Sequence, residues 1–406
     1  MRDYANPAPD RPAQLNVTIT DIETAVIDGN FPWNLIRIHT DAGVSGIGES
    51  YRGSAIVDLV ESMKSVLIGE NPLDVERLFR RLIQEFSGHG GTTGKVVTAA
   101  SGIEIALWDI AGKLLEVPVY QLLGGKYRDR VRIYCDCHAG AAFRIDEHGY
   151  SVSHDEDSYD PEAYAATAQR VVDLGFTALK FDLDTPMDNE PDPINGRVSN
   201  ASLRHKQEVV DAVRSAIGEE IDLAFDCHWD YSFDSAKRLA RSLEPYDLMW
   251  LEDLIPPENM EIQRELARST ATPLATGENR FRVHEFKELL YEQAVDIITP
   301  DPTTCGGLAE SKAIANRAEE NYITFSPHNV CSPIGTMACA HLGAAIPNFG
   351  VLEYHALEVD WWDDLLVGSP LIQDGYLAVP DSPGLGIELD EDVAADHSMT
   401  PGTLWS

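Results

Sequence analysis

Six acidic or histidine side chains recur at a nearly constant interval through the second half of the chain: Asp226, Glu252, Glu278, Asp301, His328 and Glu353. Each lies in a short apolar run, in turn LAFDCHW, MWLEDLI, LATGEN, DIITPDP, ITFSPHN and GVLEYH. The gaps of 26, 26, 23, 27 and 25 residues match one strand, one helix and two loops, which is the length of a βα unit. Residues spaced in this way all reach one rim of a single parallel barrel, so the interval bears on fold and on chemistry together.

The remainder of the chain fits that frame. Its 406 residues, 44% of them hydrophobic, can bury a full core and fill about two domains. Residues 1–14 are polar and Pro-rich and read as a loose tail without the basic and apolar regions of a signal peptide. Over 15–130, β-rich runs (LNVTITDIETAVI, FPWNLIRIHTD) precede helical patterns, as in an α+β domain. The best helical stripe is SGIEIALWDIAGKLL at 101–115, where Ser101 and Glu104 fit a capping box. From 131 the pattern alternates. VRIYCDCH and FTALKFDL read as the first two barrel strands, with Asp160 as N-cap, Pro161 at N1 and Gly175 closing the helix between them. A helix over 203–217 leads to the third strand. The expected architecture is α/β: a (β/α)8-type TIM barrel over 131–365 with an N-terminal α+β capping domain. The segment 366–406 is expected to pack on that capping domain. The acidic stretch 183–202 is longer than a usual βα loop and should border the site.

Charge and cysteine usage exclude several functions. A net charge of −36, from 67 acidic and 31 basic residues, makes nucleic acid and anionic membrane surfaces poor partners. It reads either as a generally acidic surface or, the reading favoured here, as a protein of a high-salt cytoplasm where screening reduces self-repulsion. The six cysteines form no CxxC pair and sit in apolar patterns, so buried free thiols are expected. No apolar run reaches the ~18 residues of a membrane span. A cytoplasmic location follows.

Asp226, Glu252 and Glu278 fall on the third, fourth and fifth strands. Three adjacent carboxylates at one rim repel one another unless a cation sits between them. An all-oxygen set that leaves open positions suits Mg²⁺. Taken singly, each could cap the next helix or pair with a surface lysine; their common register argues against this. Asp301 and His328 follow on the sixth and seventh strands, a carboxylate placed to fix an imidazole tautomer and raise its basicity. Lys180 and Asp182, two apart on the second strand, face one side. Glu353 ends the eighth strand, and His228, two residues after Asp226, points into the same rim.

These residues in this order resemble the enolase superfamily and, within it, the mandelate racemase subgroup. GIEIALWDIAGKLLEVPVYQLLGG is similar to the family's capping-domain helix and the lead-in to its barrel. LAFDCHW, WLEDLIPP and ATGEN resemble its metal-ligand strands, and PDPTTCGG and FSPHN its Asp/His pair. The resemblance implies a first step in which Mg²⁺ binds a substrate carboxylate and a base removes the α-proton. Charge then accumulates on the carboxylate oxygens, where a cation and a hydrogen-bonding acid stabilise it. Glu353 is placed to be that acid, in which case it is protonated or shares a proton.

One departure redirects the chemistry. Racemases of the subgroup carry Lys-x-Lys on the second strand, whereas this chain has Lys180-Phe181-Asp182. Asp226-Cys227-His228 instead resembles the Asp-x-His of galactonate and gluconate dehydratases. By that resemblance His328, oriented by Asp301, takes the C2 proton and His228 protonates the leaving C3 hydroxyl, giving a 2-keto-3-deoxy acid. Lys180 and Asp182 then anchor the carboxylate and a hydroxyl. The expected function is a Mg²⁺-dependent dehydratase of a sugar acid such as D-gluconate, D-galactonate or D-xylonate. The alternatives are a racemase, epimerase or cycloisomerase, and a non-catalytic metal-binding scaffold. Relatives commonly form homo-oligomers. Substrate contacts are expected from loops near Trp33, Tyr51 and 89–94, and from 183–202.

Overall fold

A computed structural model describes residues 15–53, 55–88, 91–139, 160–184, 194–368, 370–400 and 402–406. The tail 1–14 and nine residues of the long acidic stretch, 185–193, lie outside the described residues. The alternating runs near the N-terminus form an antiparallel meander of β1 (Ile19–Asp28), β2 (Pro32–Thr40) and β3 (Ser45–Ser50). Its apolar face buries Ile22, Ile36 and Ile38 against α1 (Ile56–Leu67), α2 (Val75–Phe86) and α3 (Lys95–Leu114). α3 approaches β3 so closely that a Cβ at Gly46 or Gly48 would run into the α3 carbonyls of Ala106 and Gly102. Only glycine permits that approach. The helix begins at Lys95, so Ser101 and Glu104 lie inside it and form no capping box. Ser101 Oγ donates back to Val97 O at 2.7 Å, and Glu104 serves a different helix.

After α4 (Val119–Leu122) the described residues form a ring of eight parallel strands: β4 (Arg130–Asp136), β5 (Ala178–Asp182), β6 (Asp222–Asp226), β7 (Trp250–Glu252), β8 (Leu274–Thr276), β9 (Ile297–Ile298), β10 (Thr324–Phe325) and β11 (Leu352–Tyr354). β11 pairs with β4. Between β10 and β11 the ring closes through a parallel bridge, Phe325 to Phe349, where Phe325 N donates to Asn348 O and Gly350 N to Phe325 O, both at 2.9 Å. The connecting helices are α5 (Pro161–Asp173), α6 (Asn200–Ile217), α7 (Phe233–Leu243), α8 (Met260–Ala267), α9 (Arg282–Tyr291), the short α10 (Pro302–Cys305), α11 (Gly307–Glu320) and α12 (Pro333–Ala344). Local signals set the start of α5, whose N-cap Asp160 accepts from Glu162 N at 3.1 Å with Pro161 at N1.

The barrel interior changes character within two residues. Tyr134, Ala178, Ala224, Trp250, Ala275, Ile297 and Val351 cluster as an apolar plug. Tyr134 and Trp250 meet edge to face at 5.4 Å, and the alanines make room for the two rings. Because strand side chains alternate, the residues two positions on face the same way. Apart from Gly277 and Thr299 they are Asp136, Lys180, Asp226, Glu252 and Glu353, all buried. A charged layer therefore rests directly on an apolar floor.

Carboxylates of the N-terminal elements hold the barrel loops. Glu49 on β3 accepts from Ser332 N at 3.0 Å and Gly335 N at 2.9 Å, at the start of α12. Glu104 on α3 accepts from Leu308 N at 2.8 Å, Ala309 N at 2.9 Å and the Trp108 indole at 2.7 Å, at the start of α11. These are the orphan donors of two helix N-termini, which favour negative charge. Burial nevertheless pushes both carboxyls up to about 7. Beyond β11 come β12 (Ile372–Gln373), β13 (Tyr376–Ala378) and α13 (Glu391–Asp396). β13 pairs antiparallel with the start of β4. The last residues run beside β1, where Thr24 and Ser406 exchange backbone hydrogen bonds of 3.0 Å. All six cysteines are free and buried, and no helix among the described residues is long and apolar enough to cross a membrane.

Glu104→Gln should destabilise the fold by about 1–3 kcal/mol, because the amide turns an N–H toward a backbone donor that loses its acceptor. Urea unfolding followed by circular dichroism measures this. An unchanged midpoint would show that the contact contributes nothing.

Candidate active site

The charged layer is organised around Lys180. Its Nζ lies 2.8 Å from Glu353 Oε1, 3.0 Å from Asp226 Oδ2, 3.0 Å from Glu252 Oε2 and 3.6 Å from Asp136 Oδ2. Burial alone would push this lysine down, but Asp136, Glu252 and Glu353 hold it well above its ordinary value. It is therefore an ammonium. Asp136 ends the first barrel strand and was not singled out from sequence. Burial first, and then Glu353 and Asp182, push its carboxyl well up. Burial also works to raise Glu353, yet Lys180 and His328 hold that group well below the usual range. The two shifts run in opposite directions, so ionisation is favoured at Glu353 and opposed at Asp136.

Asp226 and Glu252 end β6 and β7 in direct register. Glu278 stands two residues past β8, beyond Gly277 at φ 149°. Carboxylate oxygens of all three lie within 4.8 Å of one another. Burial and then its acidic neighbours push Glu252 up to about 7 despite Lys180. Its Oε2 accepts from the Trp250 indole at 3.0 Å, while the buried Oε1 has no hydrogen-bond partner among the described residues. A buried, unsatisfied carboxylate oxygen within an all-oxygen cluster is what a hard divalent cation requires. These residues fit a divalent metal.

Asp301 and His328 lie three residues beyond β9 and β10, on the loops and not on the strands themselves. Asp301 serves two purposes. Its Oδ1 accepts from Thr303 N at 2.7 Å as the N-cap of α10, and its Oδ2 meets His328 Nδ1 at 2.9 Å. His328 Nε2 lies 3.5 Å from Glu278 Oε2 and 3.9 Å from Glu353 Oε2. Burial opposes charge on this ring, but Glu278, Glu353 and Asp301 raise it to about 10. Asn329 N donates to Glu353 Oε2 at 2.6 Å, which ties the histidine loop to β11. Tyr51, just past β3, stands edge-on to His328 with ring centroids 5.7 Å apart. Trp33 is only 2% exposed, with its indole on Asn30 Oδ1 and its ring against Trp361. Residues 89 and 90 lie outside the described residues.

A second group faces this one. His228, at φ 39°, places Nδ1 3.1 Å from Asp184 Oδ2 and 4.0 Å from Asp182 Oδ1. Burial would lower His228, but Asp226, Asp182 and Asp184 hold it well above its ordinary value. Asp182 Oδ2 also meets His138 Nδ1 at 3.0 Å. The backbone here is held firmly: Lys206 Nζ donates to Leu183 O at 2.7 Å and Leu183 N to Asp226 O at 2.7 Å. Asp184 and His138 were missed from sequence. Each follows a strand end by two residues, the spacing that marked His228, and that signal was open to use.

Residues 7–124 match the model of the mandelate racemase / muconate lactonizing enzyme N-terminal domain, and residues 163–393 that of the enolase C-terminal domain-like family. The chain is 49% identical over 404 residues to a D-xylonate dehydratase of Haloferax volcanii, covering 99% of this chain and 93% of that one. It is 33% identical over 383 residues to a D-galactonate dehydratase family member of Pseudarthrobacter chlorophenolicus, covering 89% and 90%. The crystal structure of a mandelate racemase/muconate lactonizing enzyme-like protein from Rubrobacter xylanophilus superposes with a TM-score of 0.90 at 42% identity, covering 96% of this chain and all of that one.

Two outcomes follow for the metal-free protein. Lys180→Met leaves buried carboxylates uncompensated and should lower unfolding stability in EDTA by about 3–5 kcal/mol, with Mg²⁺ restoring part of the loss. No loss in EDTA would refute the hub role. The folded state holds the His328 proton more tightly than an ordinary imidazole at 6.5 does. That stabilisation is complete below about pH 6.5 and is lost as pH rises toward 10. Thermal unfolding of the wild type should therefore weaken more steeply over that window than that of His328→Gln; parallel pH profiles would contradict it.

Proposed function

The chain belongs to the mandelate racemase / muconate lactonizing enzyme family of the enolase superfamily, and on that premise we propose that it is a Mg²⁺-dependent sugar acid dehydratase, a hydro-lyase. The observation that carries this reading is a pair of histidines flanking one carboxylate triad. His328 stands against Glu278, with its Nδ1 held by Asp301 at 2.9 Å. His228 follows Asp226, and its own Nδ1 is held by Asp184 at 3.1 Å. Each ring has a carboxylate that orients it, leaving Nε2 for proton transfer. The second-strand position at which racemases carry a base is Asp182, which cannot take that part beside Lys180.

Mg²⁺, held by Asp226, Glu252 and Glu278, would supply the Lewis acid for the substrate carboxylate. Glu278 is the first of the carboxylates that hold the His328 proton in the metal-free protein; with that charge neutralised by a bound cation, His328 Nε2 would be free to take the C2 proton. The Lys180 ammonium, fixed by Glu353 and Asp136, stabilises charge growing on the carboxylate oxygens. His228 delivers a proton to the C3 hydroxyl as the C3–O bond breaks, so water leaves and C2 and C3 become doubly bonded. The enol takes a proton at C3 and becomes the 2-keto-3-deoxy acid. Asp182 accepts from a substrate hydroxyl. D-Xylonate is the first substrate to try, supported by the Haloferax volcanii relative, with D-gluconate and D-galactonate beside it. Assays belong in high salt, which screens the −36 net charge.

The test is incubation of the three acids with Mg²⁺ in D₂O. Wild type should form 2-keto-3-deoxy product, and His328→Asn should lose both C2 exchange and product. His228→Gln should keep C2 exchange while dehydration falls about 10²–10⁴-fold, the usual worth of a positioned acid. Deuterium at C2 without keto product in the wild type would favour a racemase or epimerase instead.

A further inference from the structure

A line of hydrogen bonds enters the site from the β1–β2 turn. The Trp33 indole, which can only donate, lies 2.8 Å from Asn30 Oδ1. That contact fixes the amide orientation and turns Nδ2 toward His355, 2.9 Å from Nδ1 and 3.3 Å from its carbonyl. Nδ1 of His355 must therefore accept. The ring is half-buried, and desolvation holds it well below its ordinary value; neutral and with Nδ1 accepting, it carries its proton on Nε2. That Nε2 lies 2.9 Å from Nε2 of His138. Two N–H groups cannot face each other at this distance, so His138 Nε2 accepts and its proton is on Nδ1, 3.0 Å from Asp182 Oδ2. The rings pack to match: Phe31 stacks on His355 at 5.4 Å, and His138 meets His355 edge-on at 5.0 Å.

We propose that Asn30, His355 and His138 are positioning residues through which the β1–β2 turn of the N-terminal domain sets the histidine tautomers and fixes Asp182 as a one-sided acceptor. Oδ2 of Asp182 is occupied by His138, and Oδ1 remains for His228, 4.0 Å away, and for a substrate hydroxyl. Every donor in the line points toward the site, so its direction is decided at Asn30 and Trp33, far from any reacting atom. The barrel strand ends alone do not determine it. A neutral imidazole between two other rings could be protonated on either nitrogen, and the Asn30 amide removes that freedom. The part given to Asp182 rests on the dehydratase reading, whereas the tautomer order does not.

The full-length Mg²⁺-loaded protein, labelled with ¹⁵N at histidine, tests both parts by long-range ¹H–¹⁵N spectra. Protonated Nε2 on His355 and protonated Nδ1 on His138 are expected, and the opposite order would overturn the proposal. His138→Asn places an amide N–H where Nδ1–H stood, so KM for the turned-over acid should stay within about threefold of wild type. His138→Phe keeps the ring but removes the donor, and KM should rise about 10- to 100-fold with kcat changed far less. Asn30→Ala should scramble the His355 tautomer and raise KM in the same direction. A merely structural loss would lower the active fraction, and with it kcat, at unchanged KM. Equal effects of the two His138 variants would also overturn the proposal. If the tautomers are as stated but no sugar acid is turned over, the dehydratase reading fails and the hydrogen-bond line stands.

Discussion

The ion cluster around Lys180 is the contact on which the rest of the site depends. Asp136, Asp226, Glu252 and Glu353 come from separate strands and are all buried. Taking an unpaired carboxylate out of water costs several kcal/mol, so four of them on an apolar floor require compensation. The Lys180 ammonium supplies part of it, and burial opposes ionisation of Asp136. The negative charge left over is concentrated at Asp226, Glu252 and Glu278, where a divalent cation fits. Electrostatic stress within the barrel and affinity for a metal are thus one property. The floor matters too: Tyr134 and Trp250 close the barrel beneath the layer, so water cannot relieve the charges from below.

The N-terminal domain does more than cover this site. Glu49 holds the start of α12, whose preceding loop carries His328. Glu104 holds the start of α11, just after Asp301 and the short α10. His328 therefore precedes a helix, α12, held by Glu49, and Asp301 is separated only by α10 from a helix, α11, held by Glu104. These carboxyls are pushed up to about 7 by burial, which marks how far they are removed from water. The turn bearing Asn30 makes a third contact, at His355 just past β11. Docking of the domain and definition of the proposed catalytic groups are physically coupled.

Much of the site was legible because it follows strand periodicity. Asp226 and Glu252 end their strands and Glu353 lies within β11, and a regular interval with period-two alternation places them on one face without tertiary knowledge. Glu278, Asp301 and His328 obey the interval but lie two or three residues past their strands, where loop geometry decides direction. The Ser101 and Glu104 pattern misled for a physical reason. A capping box and a long-range cap use the same residue types, and only the partner's position distinguishes them. Asp136 was passed over because it stands outside the six-residue interval, although it ends the first barrel strand and follows the same alternation.

Sequence alone determined the βα pitch, the apolar alternation and the identity of the charged residues, and these suffice to specify a parallel barrel with acids and histidines at its mouth. Local physics settles such features, since strand period and helix capping act over a few residues. Tertiary structure decided which acids crowd around Lys180, where Glu104 makes its bonds, and which groups His138 and His355 face. Each of these depends on groups hundreds of residues apart brought within about 3 Å, where burial strengthens every charge and a hydrogen-bond donor can face only an acceptor. The tautomer line shows the limit plainly. Asn30, His138 and His355 share no pattern in the chain, and their protons are assigned only once an indole, an amide and two imidazoles are packed together.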